Sequence, residues 1–199
     1  MNGNLKFKIS TVLYLLIYAC YGQSPDELTM KTVLTKGAEF KIVDTQVGNW
    51  NVEQKIWNDK SELTATLNHV AKRSYQGNFL EEIMEPKDAS AEKFKRITYL
   101  NFNNASRLWE CIVLDTRYPV MMFESSTSPT IADKTLTLYL PAFIVPPVMV
   151  GDHGGELGHQ RREVIFESAD KTVMKQYWSL PGKKEFLAMQ YTYTRQTGK

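Results

Sequence analysis

The chain has 199 residues, with 24 basic and 22 acidic side chains and two cysteines. Such a near balance of charge lacks the basic footprint of a nucleic-acid-binding protein. It also lacks the block of like charge that docks on an anionic membrane. The length suits one domain with a full hydrophobic core.

Residues 1–22 are predicted to be a secretory signal peptide. Lys6 and Lys8 give a basic start, an apolar run covers residues 9–19, and small residues close the segment. This is the three-part order of secretory signals. Because a membrane-spanning helix needs about twenty apolar residues, the shorter run here predicts no transmembrane span.

The end of this segment allows more than one interpretation. Cleavage after Gly22 would release an exported protein, periplasmic or secreted. Residues 17–20, Ile-Tyr-Ala-Cys, also resemble a bacterial lipobox, in which Cys20 would become a lipidated first residue. An uncleaved, buried N-terminal segment is the third interpretation. After cleavage at Gly22, Cys111 would be the only thiol, and its apolar neighbours predict a small buried side chain.

Beyond a polar tether over residues 23–36, the pattern predicts one domain over residues 37–196. The spacing of Phe40, Val43 and Val47 predicts a short helix over Ala38–Gln46. Short runs rich in β-branched and aromatic residues then predict strands. The predicted strands are Asn49–Trp57, Glu62–Ser74, Gln76–Glu85, Phe94–Phe102, Arg107–Asp115, Met121–Ser126, Lys134–Ala142, Gln160–Glu167, Thr172–Leu180 and Glu185–Arg195.

The links between these runs are mostly short and carry turn residues, as in Asn103-Asn104-Ala105-Ser106 and Pro181-Gly182-Lys183-Lys184. Short links join antiparallel neighbours. About ten strands in one row would leave two bare edges, and closure into a barrel removes them. The fold class predicted is therefore all-β, an antiparallel up-and-down barrel, with a two-sheet sandwich as the alternative.

One connection is rich in proline and glycine, from Leu140 to Gly158. A long loop in a compact domain is often functional, for instance as a lid, and a solvated insertion is the alternative. His153, Glu156 and His159 within it are ligand types suited to zinc. Their spacing is not that of the helical zinc-protease motif, so no metal site is predicted.

The start of the first strand, Gly48-Asn49-Trp50, is similar to the Gly-x-Trp opening of lipocalin-like calycin barrels. Residues 73–82, 99–109, 161–163 and 191–195 resemble a bacterial domain-of-unknown-function family, number 1579 in that series, with this fold. The resemblance implies a barrel with an internal cavity and no settled activity, with the Trp plugging one end. Related haem-binding barrels use a histidine near the closing strands. None follows His159 here, so no cofactor is predicted.

Aromatic residues are abundant and could line a cavity or fill a core. Trp50 and Trp109 are the candidates for ligand contact. In the fourth predicted strand, alternation places Phe94, Leu100 and Phe102 on one face.

Three charged residues complete the predicted ligand-binding set. Asp115 and Arg117 share one face of a strand, so they could orient a polar ligand group or form a salt bridge at the rim. Arg161 and Arg162 point to opposite faces, and one must therefore face the interior. We expect Arg162 to face inward, and the resemblance implies that such an arginine packs beneath Trp50.

The leading functional hypothesis is an exported barrel that binds a small, largely apolar ligand. One alternative is an enzyme acting on a small polar substrate through Asp115, Arg117 and Arg162. The chain lacks a nucleophile-elbow motif, a phosphate loop and paired cysteines, which makes the enzyme the weaker hypothesis. The other alternative is a structural or partner-binding envelope protein, dimeric through a barrel face.

Overall fold

The structure, a computed structural model, describes residues 35–146 and 154–197. The predicted signal peptide, Cys20, nearly all of the tether, and His153 lie outside these residues. Within them the chain forms one helical segment and ten strands. The strands are β1 Gly48–Trp57, β2 Leu63–Gln76, β3 Phe79–Pro86, β4 Arg96–Asn103, β5 Leu108–Asp115, β6 Tyr118–Ser125, β7 Thr135–Ile144, β8 Leu157–Ser168, β9 Lys171–Ser179 and β10 Phe186–Arg195.

Each strand pairs antiparallel with the next one along the chain, and β10 pairs with β1. The sheet therefore closes on itself and leaves no free edge at its first and last strands. The predicted all-β, up-and-down barrel of ten strands is confirmed, and the sandwich alternative is wrong. None of the helices in the described residues is long and apolar enough to cross a membrane.

The helical segment is shorter than predicted. A 3₁₀ turn at Ala38–Phe40 continues into α1, Lys41–Asp44, and the helix ends before Gln46. The backbone N–H of Gln46 donates to the carbonyl of Val43, 2.9 Å away. A bond over three residues tightens the last turn, and such turns are typical of helix ends.

This helical segment packs against one end of the barrel. The Phe40 ring lies 5.2 Å from the Trp109 ring at the start of β5. Gly48 then opens β1 with φ of 140°, and a Cβ there would lie 2.4 Å from Nη1 of Arg195. That guanidinium donates to the Val47 carbonyl at 2.8 Å. Glycine at position 48 therefore supplies both the backbone conformation and the space for Arg195.

Two strands extend into the proline-rich connection that we predicted to be a loop over 140–158. β7 continues to Ile144, and β8 begins at Leu157. The β7–β8 register shifts between Leu140 and Phe143, beside Pro141. A proline lacks the N–H that a ladder needs and is tolerated at such irregularities. The loop is shorter than expected, and whether it acts as a lid stays a prediction.

Candidate ligand-binding site

The barrel interior holds a cavity of about 60 Å³. It is bounded by inward-facing side chains from strands all around the barrel. Its apolar lining includes Leu100, Leu138, Val164, Phe166 and Met174. Its polar lining includes Arg73, Glu82, Arg96, Thr98, Cys111 and Arg162. Three guanidinium groups around so small a space are unusual, because buried charge is costly unless it is paired.

Arg73 and Glu82 form the first buried ion pair, with Nε of Arg73 2.7 Å from Oε2 of Glu82. Nη1 of Arg73 donates to Oε1 of Gln46 at 3.1 Å. The second carboxylate oxygen of Glu82 accepts a hydrogen bond from the hydroxyl of Tyr193, 3.1 Å away. The Arg73 guanidinium also lies 4.2 Å from the Tyr193 ring centre. Both charges therefore have close partners from the chain itself.

Arg162 and Glu124 form the second buried pair. Nη2 of Arg162 lies 2.9 Å from Oε1 of Glu124, which also accepts a hydrogen bond from Gln160 at 2.6 Å. Nε of Arg162 and Oε2 of Glu124 have no hydrogen bond to any described residue. Nη2 of Arg162 is in ion-pair contact with Glu124 but is not aligned for a hydrogen bond to it. A buried donor without a partner costs free energy, so these atoms mark a place where a bound molecule would be stabilised.

Arg96 is the third arginine of the cavity and differs from the other two. It is 6% exposed, and its Nη1 donates to the hydroxyl of Tyr191 at 2.9 Å. No carboxylate of the described residues lies within ion-pairing distance of it. Arginine keeps its proton under all ordinary conditions, so this charge persists in the cavity.

Of the five residues predicted to bind ligand, one lines the cavity. Arg162 points inward, as expected, and is 2% exposed. Trp50 and Trp109 are fully buried members of the hydrophobic core and are not among the lining residues. The guanidinium groups over the Trp50 ring are those of Arg73 and Arg195, at 5.1 and 4.5 Å. These two arginines, rather than Arg162, occupy the place that we expected beside Trp50.

Asp115 and Arg117, the other two, lie at the opposite end of the barrel from α1. This is the far end, where β1, β3, β5, β7 and β9 end. Nη2 of Arg117 is 2.6 Å from Oδ2 of Asp115, and Nε is 2.9 Å from Oδ1. Burial raises the pKa of the Asp115 carboxyl, but the hydrogen bonds from Arg117 outweigh it and hold this pKa below its usual value. The carboxylate therefore stays ionised and paired.

His69 on β2 lies near this pair and escaped the sequence analysis. Its Nε2 is 2.8 Å from Oε1 of Gln54, and its ring meets that of Phe94 edge-on at 5.4 Å. Arg117 also lies over the Phe94 ring, at 3.8 Å. Burial and the charges of Arg117 and Arg96 lower the pKa of His69 to about 4. The imidazole is therefore neutral at pH 7.

The sequence did contain a signal for Arg96. Alternation predicted that Leu100 and Phe102 share a face of β4, and both line the interior. Arg96 and Thr98 occupy the same alternating positions and could have been placed inside by the same rule.

Neither histidine of the glycine-rich connection is in a metal centre that the structure describes. His153 lies outside the described residues, and His159 is exposed on β8. Among the residues that the structure describes, no group of three His, Cys, Asp or Glu side chains could hold a metal ion.

Cys111 is buried, which confirms the prediction from its apolar neighbours. Burial raises the pKa of its thiol to about 12. Because the thiolate is the reactive form, we expect Cys111 of a Cys20→Ser variant to resist dithionitrobenzoate in the native state. One thiol should react after unfolding in urea. Rapid stoichiometric labelling of the native variant would contradict this burial.

Comparisons with known proteins support the family and the fold. The profile described as "Protein of unknown function (DUF1579)" matches residues 35–195, which confirms the predicted resemblance. No curated protein matches the chain. The crystal structure of Rv2717c from M. tuberculosis is similar, with a TM-score of 0.52 and 11% identity, over 82% of this chain and 100% of that one.

A second solved structure is the S-type phycobiliprotein lyase CPES from Guillardia theta. It has a TM-score of 0.49 and 12% identity, over 86% of this chain and 99% of that one. At 11% identity the likeness to Rv2717c shows the fold alone, and we base nothing on the second structure.

Proposed function

This chain belongs to the DUF1579 family of proteins of unknown function, and we propose that it is an exported barrel that binds a small molecule in its interior cavity. Export is supported by the signal-like pattern of residues 1–22. Binding is supported above all by one observation. Arg162 lines the cavity, and its Nε is buried without a hydrogen-bond partner among the described residues, while its Nη2 contacts Glu124 without hydrogen-bond alignment.

The size of the cavity limits the ligand. A volume of about 60 Å³ holds on the order of four to six water-sized groups. Leu100, Leu138 and Val164 offer an apolar wall, in keeping with the largely apolar ligand that we expected. The arginines require that part of the ligand be polar. A molecule of about six non-hydrogen atoms with a short hydrocarbon portion fits both conditions.

The enzyme alternative has less support. At the far end, Arg117 donates two side-chain hydrogen bonds to Asp115. Neither residue lines the cavity with Arg162. An ionised carboxylate held by two bonds to a guanidinium is a poor proton acceptor. We therefore favour a binding protein.

Binding can be tested by nuclear magnetic resonance of the full chain with ¹³C-labelled methionine methyl groups. Met174 lines the cavity, whereas Met121 is 59% exposed on β6 and reports non-specific effects. Butyrate, butanol and butylamine are the probes. We expect at least one of them to shift the Met174 signal saturably and to leave that of Met121 unchanged.

A pair of variants makes this test specific. Leu100→Trp fills the cavity and should abolish the shift, whereas Leu63→Trp alters a side chain that is 54% exposed and should preserve it. Thermal unfolding of both variants checks that they are folded. A Met174 signal that no probe moves, or one that moves equally in Leu100→Trp, would refute the proposed function.

A further inference from the structure

The buried charged groups of the barrel, counted together with Arg117 because it pairs with the buried Asp115, do not balance. His69 is neutral at pH 7, because its pKa lies near 4. Four guanidinium groups of this set then face three carboxylates, which leaves an excess of one positive charge within the set. The guanidinium groups are those of Arg73, Arg96, Arg117 and Arg162, and the carboxylates are those of Glu82, Asp115 and Glu124.

The pairing of these groups assigns the excess to one residue. Each carboxylate has a close arginine partner at 2.7, 2.6 or 2.9 Å, and Arg96 is the arginine that none of them contacts. Its described hydrogen bond goes to the hydroxyl of Tyr191 and not to a carboxylate. The carboxylates attract Arg96 only from a distance. A buried charge without an adjacent counter-charge is costly, and arginine cannot escape that cost by losing a proton.

Arg162 completes the arrangement from another strand. Its charge is matched by Glu124, but its Nε has no hydrogen-bond partner among the described residues, and its Nη2 contacts Glu124 without hydrogen-bond alignment. Arg96 thus contributes an unmatched charge and Arg162 contributes unmatched donors, and both line the same cavity. An anion with oxygen acceptors would satisfy both.

We infer that the cavity binds a small monocarboxylate, with its carboxylate group at Arg96 and Arg162 and its hydrocarbon portion against Leu138 and Val164. This inference rests on the proposed function and names the class of ligand. The single negative charge of a monocarboxylate neutralises the single excess positive charge. A phosphate dianion would instead leave one excess negative charge. The planar guanidinium also matches the two oxygens of a carboxylate.

The same labelled chain tests the inference through relative affinities. The affinity for butyrate should exceed that for butanol by about tenfold or more, because hydrogen bonds to charged groups are stronger than hydrogen bonds between neutral groups. Butylamine and inorganic phosphate should give no saturable shift of Met174. Arg96→Met should reduce the affinity for butyrate to that for butanol. Arg107→Met, which alters a guanidinium on the surface, should change neither.

The outcomes separate the two proposals. If butanol binds as tightly as butyrate, or phosphate binds more tightly, the carboxylate inference is overturned while the cavity remains a binding site. If no probe binds, both proposals fail. Should Arg96→Met not fold, Arg96→Lys retains the charge and loses the planar fork. Butyrate affinity should then fall about threefold or more, and an unchanged affinity in this variant overturns the inference.

Discussion

Replacing Glu82 by glutamine should lower the free energy of unfolding by about 3–5 kcal/mol. The substitution leaves Arg73 buried, at 7% exposed, without the carboxylate that lies 2.7 Å from its Nε. It also weakens the acceptor of the Tyr193 hydroxyl. Urea unfolding at pH 7, followed by tryptophan fluorescence, would measure the change.

An exposed ion pair provides the matched control. Lys171 and Glu167 lie 2.8 Å apart, with side chains 50% and 40% exposed, and Glu167→Gln should cost less than about 1 kcal/mol. Arg73→Met and Glu82→Leu combined should lower the free energy of unfolding by less than the sum of the losses from these two substitutions made singly, because the double variant leaves no unpaired charge. A Glu82→Gln loss as small as that of Glu167→Gln would show that water reaches Arg73.

The strands were predictable because their chemistry repeats every two residues. Along β5 every second side chain, from Trp109 to Asp115, is buried, and those between them are half-buried. This period is visible in the sequence without any knowledge of the neighbouring strands. Closure of the barrel followed from the short links between strands. The C-terminal limit of β7 could not be predicted. The predicted strand stops at Ala142, just after Pro141, whereas β7 continues to Ile144 because a register shift accommodates this proline.

One of the two buried ion pairs could also have been predicted. The two-residue turn at Gly77 and Asn78 fixes the β2–β3 register, and this register places Arg73 directly opposite Glu82. Opposite charges at such positions attract.

The other pair left no comparable signal. Arg162 lies on β8 and Glu124 on β6, with β7 between them. Only the curvature of the closed barrel brings these two side chains together. Separation along the sequence and across the sheet therefore hid the residue pair closest to the proposed ligand. The sequence analysis identified Arg162 alone, because Arg161 beside it forced one of the two to face inward.

Acidification from pH 7 to pH 4 should destabilise the protein through His69 by about 3 kcal/mol. Burial, together with Arg117 and Arg96, lowers the pKa of this imidazole from 6.5 to about 4. Between about pH 6.5 and pH 4, His69 is therefore protonated in the unfolded chain and mostly neutral in the folded chain. The stability from His69 is complete above pH 6.5 and is lost as the pH falls toward 4. Urea unfolding at several pH values would measure it.

His69→Gln should remove this loss, because glutamine cannot take up the proton and can still bond to Gln54. His159→Gln, on the exposed side of β8, should retain it. The Asp115 carboxyl does not confuse the measurement. Its pKa is held below 3.8 by the hydrogen bonds from Arg117, in spite of burial, so most of the stability that it contributes is lost only below about pH 4. If the native chain and His69→Gln lost equal stability between pH 6.5 and 4, the imidazole would already be protonated in the folded state. The count of one excess positive charge beside the cavity would then be wrong.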